Sequence, residues 1–156
     1  MIYELKDFLE IRKKLKDKNK KLVFTNGCFD ILHRGHIEYL KQAKSLGDYL
    51  VVGLNSDSSV RKIKGELRPV NNQYDRAFVL NSLKVINAVI IFSDDTPYNI
   101  IKEIIPDYLV KGGDWTEDNI VGAEIVKKTG GKVVSLKYVD NYSTTSTINK
   151  LKELGN

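Results

Sequence analysis

Thr25-Asn26-Gly27-Cys28-Phe29-Asp30-Ile31-Leu32-His33-Arg34-Gly35-His36 decides how this chain reads. The apolar run Leu22-Val23-Phe24 before it has the character of a buried strand. Residues 37–44 after it carry apolar side chains at helical spacing. The stretch is therefore a strand, a glycine-punctuated loop and a helix start. Free backbone N–H groups and the positive end of a helix dipole meet an anion in that geometry. Gly27 permits a turn that a side chain would obstruct, and Gly35 lets the backbone come close to a ligand. Both histidines of the chain, His33 and His36, lie here, spaced to converge on one group.

Zinc is the first alternative, with Asp30, His33 and His36 as ligands. Structural zinc wants four ligands rich in Cys and His, and one cysteine with two histidines does not supply them. No protein-held metal is expected. Cys28 reads as a small, buried, reduced side chain, not a nucleophile. A single cysteine excludes an internal disulfide framework and suits a reducing compartment. No stretch has the length of a membrane-spanning helix and the first residues are not a signal peptide, so a cytoplasmic location is expected. At 156 residues, 42% hydrophobic and 29% charged, the chain suits one compact domain. Its net charge of +5 raises the question of nucleic acid. The basic residues are scattered, many of them in residues 12–21, and no aromatic-plus-basic stacking platform accompanies them. A lysine-rich surface equally suits phosphorylated substrates.

Working outward, Leu5, Phe8, Leu9, the stem of Arg12 and Leu15 share one face of a first helix. Strands are expected at 22–25, 49–54, 88–92, 108–110 and 132–136. Helices are expected at 36–46, 72–83, after Thr96 with Pro97 in the first position, at 121–128, and after Ser143-Thr144-Thr145-Ser146. Asn55 to Ser59 reads as a polar loop. Residues 61–69, basic and broken by Gly65, read either as a surface loop or as a flap carrying Lys62 and Lys64 over a phosphate. Short apolar strands alternating with helices imply an α/β fold: a doubly wound, Rossmann-like parallel five-stranded sheet with helices on both faces. In such sheets ligands bind beyond the carboxyl ends of the strands, where strand order reverses. The loop at 25–36, the hydroxyl run at 143–146 and Lys111 all fall at carboxyl ends. Neither common phosphate-loop motif is present. Two helix starts and two imidazoles can instead hold a polyphosphate, with Lys62, Lys64 and Lys111 neutralising it.

These residues resemble the HxGH nucleotidyltransferases of the cytidylyltransferase-like group. The nearer resemblance is to the bacterial D-glycero-beta-D-manno-heptose 1-phosphate adenylyltransferases, which occur alone or as half of a bifunctional kinase/transferase. The shared stretches are residues 23–30, 46–48, 55–57, 64–65, 68–71, 94–97, 109–114 and 143–145, spread over nearly the whole chain. The resemblance implies one nucleotidyltransferase domain over 1–156, with the helix in 1–20 packed on it. It implies transfer of AMP from ATP to a sugar 1-phosphate with release of pyrophosphate, in lipopolysaccharide-precursor synthesis.

Carried over by position, the resemblance makes His33, His36 and Lys64 catalytic. Thr25, Asn26, Gly27, Cys28, Phe29, Asp30, Gly35, Arg76, Ser143, Thr144, Thr145 and Ser146 would bind the nucleotide. Asp30, Lys111, Gly112 and Asp114 would meet the sugar phosphate. Mg²⁺ would ride on the triphosphate, whose hard oxygens suit it. ATP and the sugar phosphate are the implied partners, with neither nucleic acid nor membrane, and a homo-oligomer is left open. The rival within the group is a cytidylyltransferase acting on glycerol 3-phosphate or a similar small phosphate. Those enzymes carry an arginine and a glycine ahead of the hydroxyl run. Here Tyr138 replaces the arginine, which counts against CTP, and Asn141-Tyr142 depart from the usual glycine.

Overall fold

The structure, a computed structural model, describes residues 1–137 and 143–154. Its centre is a parallel sheet. β2 (Leu22–Gly27), β3 (Tyr49–Asn55), β4 (Ala88–Phe92), β5 (Tyr108–Gly112) and β6 (Lys132–Leu136) stand where the sequence places strands. A sixth strand, β1 (Ile2–Tyr3), joins the edge. It pairs with Val89 and Ile90 in parallel, and Val89 N–H donates to Met1 O at 3.0 Å. Two residues are too few for any alternation to be read, so this strand is visible only once its neighbour is in place.

The strand order is β1-β4-β3-β2-β5-β6. The chain steps outward from β2 through β3 to β4, then returns to β5 on the other side of β2. The reversal opens a crevice beyond the carboxyl ends of β2 and β5, whose register pairs Thr25 with Val110. Alternating side chains feed two buried layers. Phe24, Val51, Ile90 and Leu109 face one way with Phe8, Ile101, Ile104 and Val126. Val23, Leu50, Val52, Val89 and Val110 face the other with Tyr39, Leu40, Ala77 and Leu80. Helices α1 (Leu5–Asp17), α5 (Tyr98–Ile104) and α6 (Ala123–Lys128) serve the first layer. Helices α2 (Arg34–Ser45) and α4 (Gln73–Asn81) serve the second.

Three local expectations are corrected. The presumed loop at 55–59 instead ends β3 and begins a helix, α3 (Asp57–Lys64). Ser56 Oγ caps it by accepting from Ser59 N–H at 3.3 Å, and Val60 anchors it in the core. Serine-rich openings suit loops and helix caps alike, and burial of Val60 decides between them. Pro97 is the N-cap of α5 rather than its first residue. The helix expected over 121–128 begins two residues later, as α6 after Gly122, whose φ is 84°, and a 3₁₀ turn, Glu117–Asn119, precedes it.

Arg12 does more than lay its stem on the core. Its Nε and Nη2 donate to the carbonyls of Ile104 and Ile105 at 3.1 and 2.6 Å, and its Nη1 pairs with Asp107 at 2.9 Å. It therefore closes the carboxyl end of α5 and positions the start of β5, because Asp107 also accepts from Leu22 N–H. Replacing Arg12 with Met keeps the stem but strands these acceptors. Urea denaturation should show a loss of about 3 kcal/mol, the scale for breaking a buried pair by removing one partner.

Candidate active site

The loop after β2 is shaped by Phe29, which adopts the left-handed region at φ 43°. For a non-glycine residue this costs on the order of 1 kcal/mol or more, so packing must hold it there. The Phe29 ring lies over Gly27, where a Cβ would come within 2.9 Å of it, and stands 5.3 Å from the ring of His36. The two imidazoles stack on each other with centroids 3.8 Å apart and planes at 22°. Burial pushes His36 down to about 4, with a smaller push from His33, and burial lowers His33 as well. His36 Nδ1 is buried and accepts or donates no hydrogen bond among the described residues. Burial therefore favours the uncharged form of both rings, which stack at the border of the crevice.

The hydroxyl run comes to the same place. Ser143 Oγ accepts from Ser146 N–H at 3.0 Å at the start of α7 (Thr144–Leu154). Thr144 Oγ1 then donates to Ile31 O at 3.1 Å, tying the helix start to the histidine loop from 113 positions away. Ser143, Thr144 and Thr145 border one cavity of about 610 Å³ together with His33, His36 and Gly35. That volume is typical of a small-molecule site. Residues 138–142, which include the departures at Tyr138, Asn141 and Tyr142, lie outside the described residues.

Cations line the rest of the cavity. Lys64 reaches it from the last turn of α3 and Lys111 from β5. Lys111 Nζ donates to Asn26 Oδ1 at 3.4 Å across the switch point. Burial lowers the Lys111 amine; Cys28 offsets this a little and the charge of Lys64 adds to it. Neither lysine has a carboxylate partner among the described residues. Arg68 does: its Nε donates to Asp30 at 2.7 Å, and Asp30 also accepts from Val70 and Asn71 N–H. Burial opposes ionisation of Asp30, but the Asn71, Val70 and Arg68 donors outweigh it and hold its carboxyl below the ordinary value. Burial pushes the Cys28 thiol up in spite of the surrounding cations, so it stays protonated and inert.

Several residues expected in the site stand behind it. Thr25 is fully buried, its hydroxyl sharing a hydrogen bond with Tyr39, whose own hydroxyl donates to Val110 O. Arg76 is 2% exposed and spends its guanidinium on the protein. It donates to the carbonyls of Asn71, Cys28 and Asn55 and to Asp57 Oδ1. It holds the loop walls and does not border the cavity. Ser146 Oγ turns back to Ser143 O, Asp114 is exposed outside the lining, and Lys62 pairs with Asp95 at 2.7 Å. Conversely, Arg68 and Tyr39 border the cavity without having been singled out. The signal for Arg68 was the run Arg68-Pro69-Val70-Asn71. Nothing in the sequence separates Tyr39 from an ordinary core aromatic.

No group of three or more His, Cys, Asp or Glu is placed to hold a metal among the described residues. Asp30 is the lining carboxylate, and its oxygens are occupied by Arg68 and two backbone N–H groups. No helix among the described residues is long and apolar enough to cross a membrane.

Residues 24–150 match the family model described as cytidylyltransferase-like, and the chain belongs to that family. Among curated relatives, the bifunctional protein HldE of Aliarcobacter butzleri (strain RM4018) is 53% identical over 152 residues, 96% of this chain and 31% of that protein. The bifunctional protein HldE of Campylobacter concisus (strain 13826) is 50% identical over 155 residues, 99% of this chain and 32% of that protein. The chain thus spans about a third of the length of the curated relatives it matches. Among solved structures, the lipopolysaccharide core biosynthesis protein from Thermoplasma volcanium GSS1 aligns with a TM-score of 0.62 at 32% identity. The alignment covers 80% of this chain and 99% of that one. A pantoate-beta-alanine ligase from Francisella tularensis aligns with a TM-score of 0.60 at 18% identity, covering 98% of this chain and 78% of that one; this is a likeness of fold alone.

The depressed imidazoles make stability depend on pH. Between the ordinary histidine value of 6.5 and about 4 for His36, the unfolded chain binds more protons than the folded one. Stability should therefore be full above this window and fall as pH drops through it. Urea midpoints measured across the window should show that fall, and His36→Gln should flatten it.

Proposed function

We propose that this chain transfers AMP from ATP to a sugar 1-phosphate, D-glycero-D-manno-heptose 1-phosphate, giving an ADP-sugar and pyrophosphate. The observation that carries this reading is the shared cavity. Two helix starts and two imidazoles border it together with two lysines that lack a carboxylate partner among the described residues. An enclosed surface with that much uncompensated positive potential calls for a polyanion. The cytidylyltransferase-like membership and the lipopolysaccharide-core role named for the Thermoplasma volcanium protein support a nucleotidyl transfer to a sugar phosphate.

In the proposed step a phosphate oxygen of the acceptor attacks the α-phosphorus in line. The bond to the β-phosphate oxygen breaks, and its electron pair leaves with pyrophosphate. The acceptor phosphate is itself the nucleophile, so no side chain need form a covalent intermediate or abstract a proton. The protein's work is to orient the two substrates and stabilise charge on the non-bridging and leaving oxygens. His33 and His36 donate to those oxygens. Lys64 neutralises charge as it moves to the leaving group. Ser143, Thr144 and Thr145 with the start of α7 hold the outer phosphates, and the loop of Asn26, Gly27, Cys28 and Phe29 lines the nucleotide site with Gly35. Lys111 and Gly112 meet the acceptor phosphate at the switch point. Asp30 borders the cavity in the grip of Arg68, Val70 and Asn71, and Thr25, Arg76 and Ser146 act from behind as positioning residues. Mg²⁺ bound to the triphosphate would supply charge neutralisation.

Incubation with Mg²⁺, the heptose 1-phosphate and each nucleoside triphosphate in turn should release pyrophosphate with ATP. Release with CTP alone would instead establish the cytidylyltransferase reading. His36→Ala should lower kcat by roughly 10²–10³-fold, the usual scale for losing one transition-state donor, while circular dichroism stays native. Near-normal turnover in this variant would remove His36 from the mechanism.

A further inference from the structure

We propose that Arg68 is a two-pronged clamp on the outer phosphates of the nucleoside triphosphate and on the pyrophosphate they become; this rests on the transferase reading above. Arg68 borders the cavity together with His33, Lys64 and residues 143–145. Its place comes from a turn. α3 ends at Lys64, Gly65 takes φ 95°, and Arg68 N–H donates to Gly65 O at 3.0 Å. Lys64 and Arg68 therefore flank one reverse turn and both border the cavity, whereas Leu67 between them is 93% exposed.

Asp30 then fixes the guanidinium. Arg68 Nε donates to Asp30 Oδ2 at 2.7 Å, with the arginine side chain 18% exposed and the carboxylate 1%. That bond is not what holds the segment down. Asp30 also accepts from Val70 and Asn71 N–H, and Asn71 Nδ2 donates to Asp30 O at 2.9 Å. Arg76 supplies the contrast, since all three of its guanidinium nitrogens donate to protein acceptors. Arg68 gives the protein Nε alone, and its Nη1 and Nη2 meet no acceptor among the described residues. An arginine pinned at Nε keeps its end-on pair of nitrogens in fixed geometry, the fork that matches two phosphate oxygens.

The neighbouring ties select which phosphates. Asp30 precedes Ile31, whose carbonyl accepts from Thr144 Oγ1. Arg68 and the start of α7 are thus fastened to consecutive residues of one loop, while Lys111 is tied to Asn26 at the end of β2. The guanidinium accordingly joins the hydroxyl run on the β- and γ-phosphates. It gathers the charge that arrives there as the bond between the α-phosphorus and the β-phosphate oxygen breaks.

Calorimetric titration of the full chain with Mg²⁺ and inorganic pyrophosphate tests this without an acceptor sugar. Arg68→Ala should weaken pyrophosphate and ATP by roughly 10–100-fold, the scale of one charge-assisted pair, while AMP affinity is unchanged. Arg68→Lys keeps a cation beside Asp30 and so protects the fold, which circular dichroism and the urea midpoint check. It should still lose most of that affinity, because an ammonium has no fork. Unchanged pyrophosphate affinity in Arg68→Ala overturns the proposal, as does a wild-type chain that does not bind pyrophosphate. Full affinity in Arg68→Lys overturns it by reducing the clamp to a point charge, and AMP weakening in step with pyrophosphate overturns it as general damage to the loop. Titrations that come out as expected without turnover on heptose 1-phosphate would sink the transferase reading alone. Turnover with unaltered pyrophosphate affinity in Arg68→Ala would sink the clamp alone.

Discussion

A single guanidinium ties together the segments from which the crevice is built. Arg76 reaches from α4 to the Cys28 carbonyl in the histidine loop, the Asn55 carbonyl at the end of β3, Asp57 at the start of α3 and the Asn71 carbonyl beside Asp30. Hydrogen bonds from a charged donor contribute about 1.5–3 kcal/mol each when buried and well formed. Burying the charge costs several kcal/mol in return, and four hydrogen bonds to acceptors in the protein offset that cost. The consequence is geometric. The loop that carries Phe29 in a strained conformation cannot relax without giving up Arg76 contacts.

Asp30 does the same work one layer nearer the cavity. It accepts from Arg68, Val70 and Asn71, so the segment after α3 is folded down against the loop after β2. Lys64 then enters the cavity from a fixed helix end rather than from a loose flap. Thr144 completes the enclosure through Ile31. Each tie joins residues far apart in the chain, and each uses a polar side chain that stands at or behind the cavity surface.

The electrostatics of the cavity follow from this enclosure. Burial lowers both imidazoles and the Lys111 amine, meaning that the empty site disfavours additional positive charge. A polyanion placed among them reverses the balance, because opposite charge favours the protonated forms.

The sequence alone carried the sheet and most of its helices, since buried parallel strands must be apolar throughout and amphipathic helices must repeat at their own period. It also pointed to His33, His36, Lys64, Lys111 and residues 143–145, and the fold brings these residues to one cavity. It did not distinguish Ser56 as a helix cap from a loop serine, nor Arg12 and Arg76 as buried anchors from a solvated or ligand-bound cation. The two arginine roles depend on acceptors supplied by distant segments: Ile104, Ile105 and Asp107 for Arg12, and Cys28, Asn55 and Asp57 for Arg76. Local pattern reports which side chains a residue's own neighbours can bury. Only the assembled fold reports which backbone carbonyls and carboxylates arrive from elsewhere to meet it.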